Sequence, residues 1–377
     1  MDKILFVATI DQHIRHFHYP FLEWFKNNGY EVHVASKGEE KLLHVDKKHN
    51  IPFERSPFKA NNIKAYKQLK KLIEANDYKL VHCHTPMGGA IARLASISAR
   101  KRGLKVLYTA HGFHFYKGAP KKNWLIYYPV EKLLSRFTDV LITINEEDYE
   151  LANKKRFKAH KIELVHGVGI DLKKFRPQVD QIKVELRNEY SYNPDDFILI
   201  YVGELSYRKH QDVLIKAIDK IVNQIPKLKL LLVGDGDLFD TYQELIIRNN
   251  LSKNVELLGY RKDVPKLMLL SDVVVSSSRQ EGLPVNVMEA MATSLPLIVS
   301  NCRGNKDLVK HMGNGLLVTK DDEGEYAKSI LKLYNDSKLK ERLSANSLQM
   351  ISDFSLEIII DDMSIIYKSV LNAINND

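Results

Sequence analysis

The stretch that decides the fold is Ser278-Arg279-Gln280-Glu281-Gly282-Leu283-Pro284-Val285-Asn286-Val287-Met288-Glu289-Ala290-Met291-Ala292. Before it stands Asp272-Val273-Val274-Val275-Ser276, an apolar run that predicts a buried parallel strand. After it, Val285, Val287, Met288, Ala290 and Met291 suit a helix packed on a sheet. Pro284 suits the first helical position, where its missing N–H costs nothing. The order is strand, loop, helix, with Glu281 on the loop and Glu289 inside the helix. A helix N-terminus presents free backbone N–H groups and a positive dipole end, so it attracts phosphate. Glu289 lies about five residues into the helix, roughly 7.5 Å along the axis. A diphosphate held by Gly282, Leu283, Pro284 and Val285 would leave its ribose near Glu289 and its sugar near Glu281. A carboxylate accepts from two vicinal hydroxyls, each charged hydrogen bond contributing about 1.5–3 kcal/mol. The plainer alternative is a solvated loop residue and a helix-surface residue.

Outward from this stretch, strand-like and helix-like runs alternate through all 377 residues, which predicts an α/β chain of two domains with parallel sheets. The boundaries expected are 1–180, then a polar linker over 176–196, then 190–355, with a last helix over 356–377. Charge is uneven. Residues 1–180 hold 32 Lys+Arg and 19 Asp+Glu, or +13, whereas the rest holds 24 and 28, or −4. A basic half suits an anionic membrane surface or a phosphorylated substrate. No nucleic-acid-binding motif is present, so nucleic acid is not an expected partner. Cys83 and Cys302 stand in different halves, which argues against a disulfide and for a reducing compartment. No apolar run approaches the ~20 residues of a membrane span and no signal peptide precedes the first strand, so a cytoplasmic protein bound peripherally to the inner membrane face is expected.

In the first half, the strand Ile4–Ala8 runs into Thr9-Ile10-Asp11-Gln12-His13-Ile14-Arg15-His16-Phe17-His18. Ligand sites in open α/β sheets lie at such strand ends. Asp11, His13, His16 and His18 therefore suit an acceptor-facing loop, a metal site being the other reading. No carboxylate–histidine cluster accompanies them in sequence, so no metal site is expected. His84 ends another strand and is either a cleft residue or a packed core histidine. His111 follows the strand Lys105–Ala110 in the same way, and a neutral imidazole there could accept a hydrogen bond or shuttle a proton. Lys117, Lys121 and Lys122, interleaved with Trp124 and tyrosines, suit a membrane interface, or an ordinary loop and helix.

The second half opens a new sheet at Phe197–Val202, turning at Gly203-Glu204-Leu205-Ser206-Tyr207-Arg208-Lys209. Lys229–Val233 leads to Gly234-Asp235-Gly236, and Val255–Leu258 to Gly259-Tyr260-Arg261. Pro296–Ser300 follows as a further strand, then Gly313-Asn314-Gly315-Leu316-Leu317-Val318.

Taken together, Glu281-Gly282-Leu283-Pro284, the second glutamate at 289, and the turns at Gly203, Gly234 and Gly315 resemble the retaining glycosyltransferases of family 4. The resemblance spans nearly the whole chain and is most specific over 203–320. It implies two Rossmann-like domains facing across a cleft, the GT-B fold. It further implies that Lys209 neutralises the donor diphosphate, that Gly203 and Gly234 line the donor, and that backbone at Tyr260 and Arg261 reads the base. His111 is then the catalytic-side residue of the first domain, beside Glu281 and Lys209 in the second. Two departures stand out. The usual E-G-F-G loop reads Glu281-Gly282-Leu283-Pro284, and the usual arginine after Gly203 is Glu204, leaving Arg208 as the replacement cation. The segment Ala110-His111-Gly112-Phe113-His114-Phe115, followed by Trp and Tyr, is similar to a capsule and exopolysaccharide subgroup. The implied activity is metal-independent transfer from a UDP-sugar, UDP-N-acetylhexosamine included, to a lipid-pyrophosphate-linked saccharide, without a cofactor. A UDP-sugar 2-epimerase and a non-catalytic sugar-nucleotide binder are the alternatives.

Overall fold

The computed structural model describes residues 1–376. Two compact units make up the chain, Met1–Gly169 with the C-terminal segment from Glu357, and Ile170–Leu356.

The first unit is built on seven parallel strands: β1 Lys3–Ile10, β2 Glu31–Lys37, β3 Lys47–Asn50, β4 Tyr78–His84, β5 Lys105–Ala110, β6 Val140–Thr143 and β7 Lys161–Leu164. Their order is β3-β2-β1-β4-β5-β6-β7. Continuous apolar runs such as Ile4–Ala8 are wholly buried, as a sheet covered on both faces requires. One face carries Leu5, Val7, Val81 and Val106, and the other Ile4, Phe6, Leu80 and Leu107. The helix Leu356–Asn376 covers the second face with Ile359, Met363, Tyr367 and Leu371, a stripe at four-residue spacing. Tyr367 also hydrogen-bonds through its hydroxyl to His82 Nδ1 at 2.9 Å.

The second unit has six parallel strands: β8 Phe197–Val202, β9 Leu228–Val233, β10 Val255–Gly259, β11 Val273–Ser276, β12 Leu297–Ser300 and β13 Leu316–Val318, in the order β10-β9-β8-β11-β12-β13. Both sheets reverse strand order once, at β1/β4 and at β8/β11. Such reversals open a crevice at the carboxyl ends of the strands, where ligands bind.

Two expectations are corrected. The polar stretch 176–196 is no linker: it contains the helix Asp180–Glu189, part of the second unit. Arg187 of that helix is buried and donates to Leu270 O, Pro194 O and Asp272 Oδ2, so a charged residue acts as an anchor. Pro284 stands one residue before the helix Val285–Ala292 rather than at its first position. After β13 the chain continues as two helices, Glu323–Asn335 and Ser337–Ile351, parted at Asp336, whose side chain accepts from Leu339 N.

Gly234 fixes how closely two turns approach. Its φ is +141°, and a Cβ there would lie 2.2 Å from Gly203 O. Gly234→Ala should therefore destabilise the second unit by about 2 kcal/mol or more, from backbone strain and overpacking together. Urea denaturation measures this, and an unchanged midpoint would contradict the close approach.

Candidate functional site

In the second unit the loops after β8 and β11 run side by side at the strand-order reversal. Arg279 N donates to Arg208 O at 2.9 Å and locks them together. Across this contact, Lys209 Nζ meets Glu281 Oε1 at 2.6 Å and Arg208 Nη1 meets Glu281 Oε2 at 3.1 Å. Ser278 Oγ donates to Glu281 Oε1 at 2.6 Å and is itself paired with the Tyr201 hydroxyl at 2.7 Å. Burial works against the charge of Glu281, yet Lys209, Arg208 and the hydrogen bonds from Lys209 and Ser278 together hold its carboxyl below the ordinary range. Lys209 and Glu281 are both buried, while Arg208 reaches in from the surface. Arg303, also buried, donates from Nε to Glu281 O at 2.9 Å. Gly304 brings its loop so close that a Cβ would sit 2.4 Å from Gly282 O.

Glu281 and Lys209, read from sequence as partners of a sugar and a diphosphate respectively, are thus bonded to each other. Arg208 completes the cluster, and Glu204 stands exposed beside it. Tyr201, Ser278 and Arg303 were not singled out in the sequence. Nothing local marks them, because a strand tyrosine, a loop serine and a distant arginine meet only in the fold.

Glu289 lies in the helix Val285–Ala292 and is partly exposed. Burial pushes its carboxyl up to about 7, with Lys174 the opposing charge. Leu283 and Pro284 are buried, and Asn286 ties the helix start to β8 by donating to Val202 O at 2.9 Å. Tyr260 is exposed. The Arg261 guanidinium is engaged by Asp263 at 2.8 and 2.6 Å, so its side chain is occupied.

In the first unit the ends of β1, β4 and β5 bring four histidine rings together. His13, His18, His84 and His111 have ring nitrogens all within 4.8 Å of one another. His111 Nε2 is 3.3 Å from His84 Nδ1, and the His18 and His84 rings stack at 3.8 Å. Burial lowers the pKa of His111 to about 4 and those of His13, His18 and His84 well below the ordinary value, so the rings are neutral. His16 is exposed and lies outside this group.

Two expected acceptor-side residues have other roles. Asp11 is buried and accepts from Ser36 Oγ at 2.6 Å and Glu40 N at 3.0 Å, besides an ion pair with Lys48 at 2.8 Å. It holds the loop after β2. Trp124 packs inward on Phe115 and Tyr128, because a large ring gains more from the core than from solvent. Its neighbours Leu125, Ile126, Val130 and Leu133 are exposed large apolar residues of the helix Lys121–Leu134, which also exposes Lys121 and Lys122, with Lys117 exposed just before it. A largely apolar cavity of about 370 Å³ opens here, lined by Pro57, Met87, Ile126, Tyr127 and Val130 together with Arg55 and His13.

Two family models match the chain: Glycosyl transferase 4-like over residues 3–145 and Glycosyl transferases group 1 over residues 183–350. A putative glycosyltransferase, EpsD, of Bacillus subtilis is 44% identical over 98% of this chain and 97% of its own length. The chain belongs to the family 4 glycosyltransferases. An Escherichia coli relative named UDP-Gal:alpha-D-GlcNAc-diphosphoundecaprenol alpha-1,3-galactosyltransferase is 31% identical over 81% of this chain and 79% of its own. Among solved structures, Anabaena HepE in complex with UDP and glucose superposes with a TM-score of 0.81 at 22% identity, covering 98% of this chain and 100% of that one. The two parallel-sheet units are those of the GT-B fold.

The buried ion pair predicts strong coupling. Lys209→Met should cost about 3 kcal/mol or more, because it leaves Glu281 short of its main partner. Lys209→Met with Glu281→Gln should cost less than the sum of the single changes by about 1 kcal/mol or more. Denaturant melts of the four proteins give the coupling, and additive losses would contradict it.

Proposed function

We propose that the chain is a retaining glycosyltransferase that moves a hexose or N-acetylhexosamine from a UDP-sugar to a lipid-pyrophosphate-linked saccharide, in capsule or exopolysaccharide assembly. The observation that carries this reading is the Arg208–Lys209–Glu281 cluster with Glu289 on the following helix, at the ligand-binding end of the second sheet. Lys209 and Arg208 take up charge on the departing diphosphate as the anomeric carbon–oxygen bond breaks. Glu281 accepts from the donor sugar's hydroxyls and Glu289 from the ribose. Backbone around Tyr260 and Arg261 reads the base, and Gly203 and Gly234 let the donor approach the main chain. On the acceptor side, neutral His111 orients the attacking hydroxyl. The E. coli relative's name gives a UDP-Gal donor, a diphosphoundecaprenol-linked acceptor and an alpha-1,3 product. An α product from an α-linked UDP-sugar is retention. The cations of the second unit supply what a divalent ion would supply to the diphosphate, so transfer proceeds without one.

The lipid part of the acceptor is assigned to the first unit. Exposed Leu125, Ile126, Val130 and Leu133 beside Lys117, Lys121 and Lys122 suit the surface of an anionic bilayer, and the apolar cavity suits the start of a prenyl chain. Among the described residues no helix is long and apolar enough to cross a membrane. Peripheral attachment at the inner face is the placement proposed.

The direct test is transfer from a radiolabelled UDP-sugar to a prenyl-pyrophosphate saccharide in EDTA. Labelled lipid product with an α linkage is expected. Loss of transfer in EDTA with recovery in magnesium would reject the metal-free donor site.

Ribose binding should also depend on pH. Hydroxyls that donate to Glu289 favour its ionised form, so binding releases a proton and tightens as pH rises. With the carboxyl at about 7 in the free protein, affinity for an intact UDP-sugar should rise roughly tenfold from pH 6 to 8. Glu289→Ala should bind weakly at every pH. Calorimetry decides, and a flat wild-type profile would remove Glu289 from the ribose.

Membrane attachment should be electrostatic as well as apolar. Each lysine near an anionic surface contributes about 1 kcal/mol, fading beyond a Debye length. Changing Lys117, Lys121 and Lys122 to glutamate should abolish binding to anionic vesicles and leave UDP-sugar affinity intact. Equal pelleting of wild type and triple variant would take the membrane role away from these lysines.

A further inference from the structure

The four-histidine group of the first unit is more than an acceptor-facing patch. Its members come from three βα turns whose strands are neighbours in the sheet: His13 and His18 after β1, His84 at the end of β4, and His111 after β5. They meet at the strand-order reversal, where an open sheet leaves a crevice. His18 and His84 are each 1% exposed. His13 Nε2, both ring nitrogens of His18 and His84 Nε2 have no hydrogen-bond partner among the described residues. A neutral imidazole carries one donor and one lone pair, and burying either unpaired is costly. One pairing, His84 Nδ1 with His111 Nε2, relieves only part of that cost.

We infer that His13, His18, His84 and His111 form a site for a divalent transition-metal ion of the zinc class. One nitrogen from each ring lies within 4.8 Å of the others. Bonds of about 2.0–2.1 Å need neighbouring nitrogens about 3.4 Å apart in a tetrahedron, so the rings would close in on the ion as it binds. Four imidazoles with no carboxylate or carbonyl select zinc, nickel, cobalt or copper over magnesium and calcium. The ion would engage the lone pair of His111 assigned above to the acceptor hydroxyl, so metal and transfer compete, and the ion acts as an inhibitor rather than a cofactor. Metal binding itself does not rest on the transfer reading, because it is read from the ion.

The experiment titrates cobalt(II) into the full-length protein freed of any affinity tag. Visible d–d absorption should saturate at one equivalent, vanish on adding one equivalent of zinc and persist in millimolar magnesium. His13→Ala, at a half-buried position, and His84→Gln should each weaken cobalt binding at least tenfold. Melting in EDTA shows whether each variant is folded. A wild-type protein without a saturable cobalt spectrum overturns the inference whatever the variants do. So does wild-type cobalt affinity in a folded His13→Ala or His84→Gln protein. Zinc should lower transfer by the wild type, and EDTA should restore it. Saturable cobalt binding with transfer unaffected by zinc would reject the competition with His111.

Discussion

The second unit depends on one buried charge being answered. Glu281 sits in a place water barely reaches, and it stays ionised because Lys209, Arg208 and Ser278 surround it. Removing an ion from water costs several kcal/mol, which only good geometry offsets. That geometry needs β8 and β11 adjacent, the two loops locked by Arg279 N and Arg208 O, and glycines where the loops nearly touch. In the proposed reaction a diphosphate would draw the two cations towards itself and leave the carboxylate for sugar hydroxyls. The resting ion pair then keeps both partners charged and positioned until the donor arrives.

Glu289 is the counterpoint. It has no such company, and burial drives its carboxyl up to about 7. Two glutamates eight positions apart therefore differ in acidity through their surroundings alone. Nothing in the spacing of Glu281 and Glu289 foretells this, since it depends on Lys209 arriving from a loop 72 residues earlier.

Much of the fold was legible because it is written in local patterns. Runs such as Ile4–Ala8 and Phe197–Val202 are long and apolar enough to declare buried strands, and a glycine turn at Gly203 marks the end of the second. Helix Asp180–Glu189 was missed because its apolar face is narrow and its anchor is a charged residue, Arg187, satisfied by distant carbonyls and Asp272. Glu281, Glu289 and Lys209 were legible because they stand in a dense motif. Asp11 and Trp124 misled because residue type alone does not say which way a side chain faces. The histidine group escaped notice as a group because its members lie almost a hundred residues apart, on strands that only the sheet order makes neighbours.

The central claim is that the second unit binds the nucleotide sugar through Lys209 and Glu289. A crystal structure with a UDP-sugar bound tests it most directly. The account predicts Lys209 Nζ within about 3.2 Å of a diphosphate oxygen and the Glu289 carboxylate at the same distance from ribose hydroxyls. A nucleotide seated elsewhere, with the Lys209–Glu281 pair intact and Glu289 touching no part of it, would contradict the account.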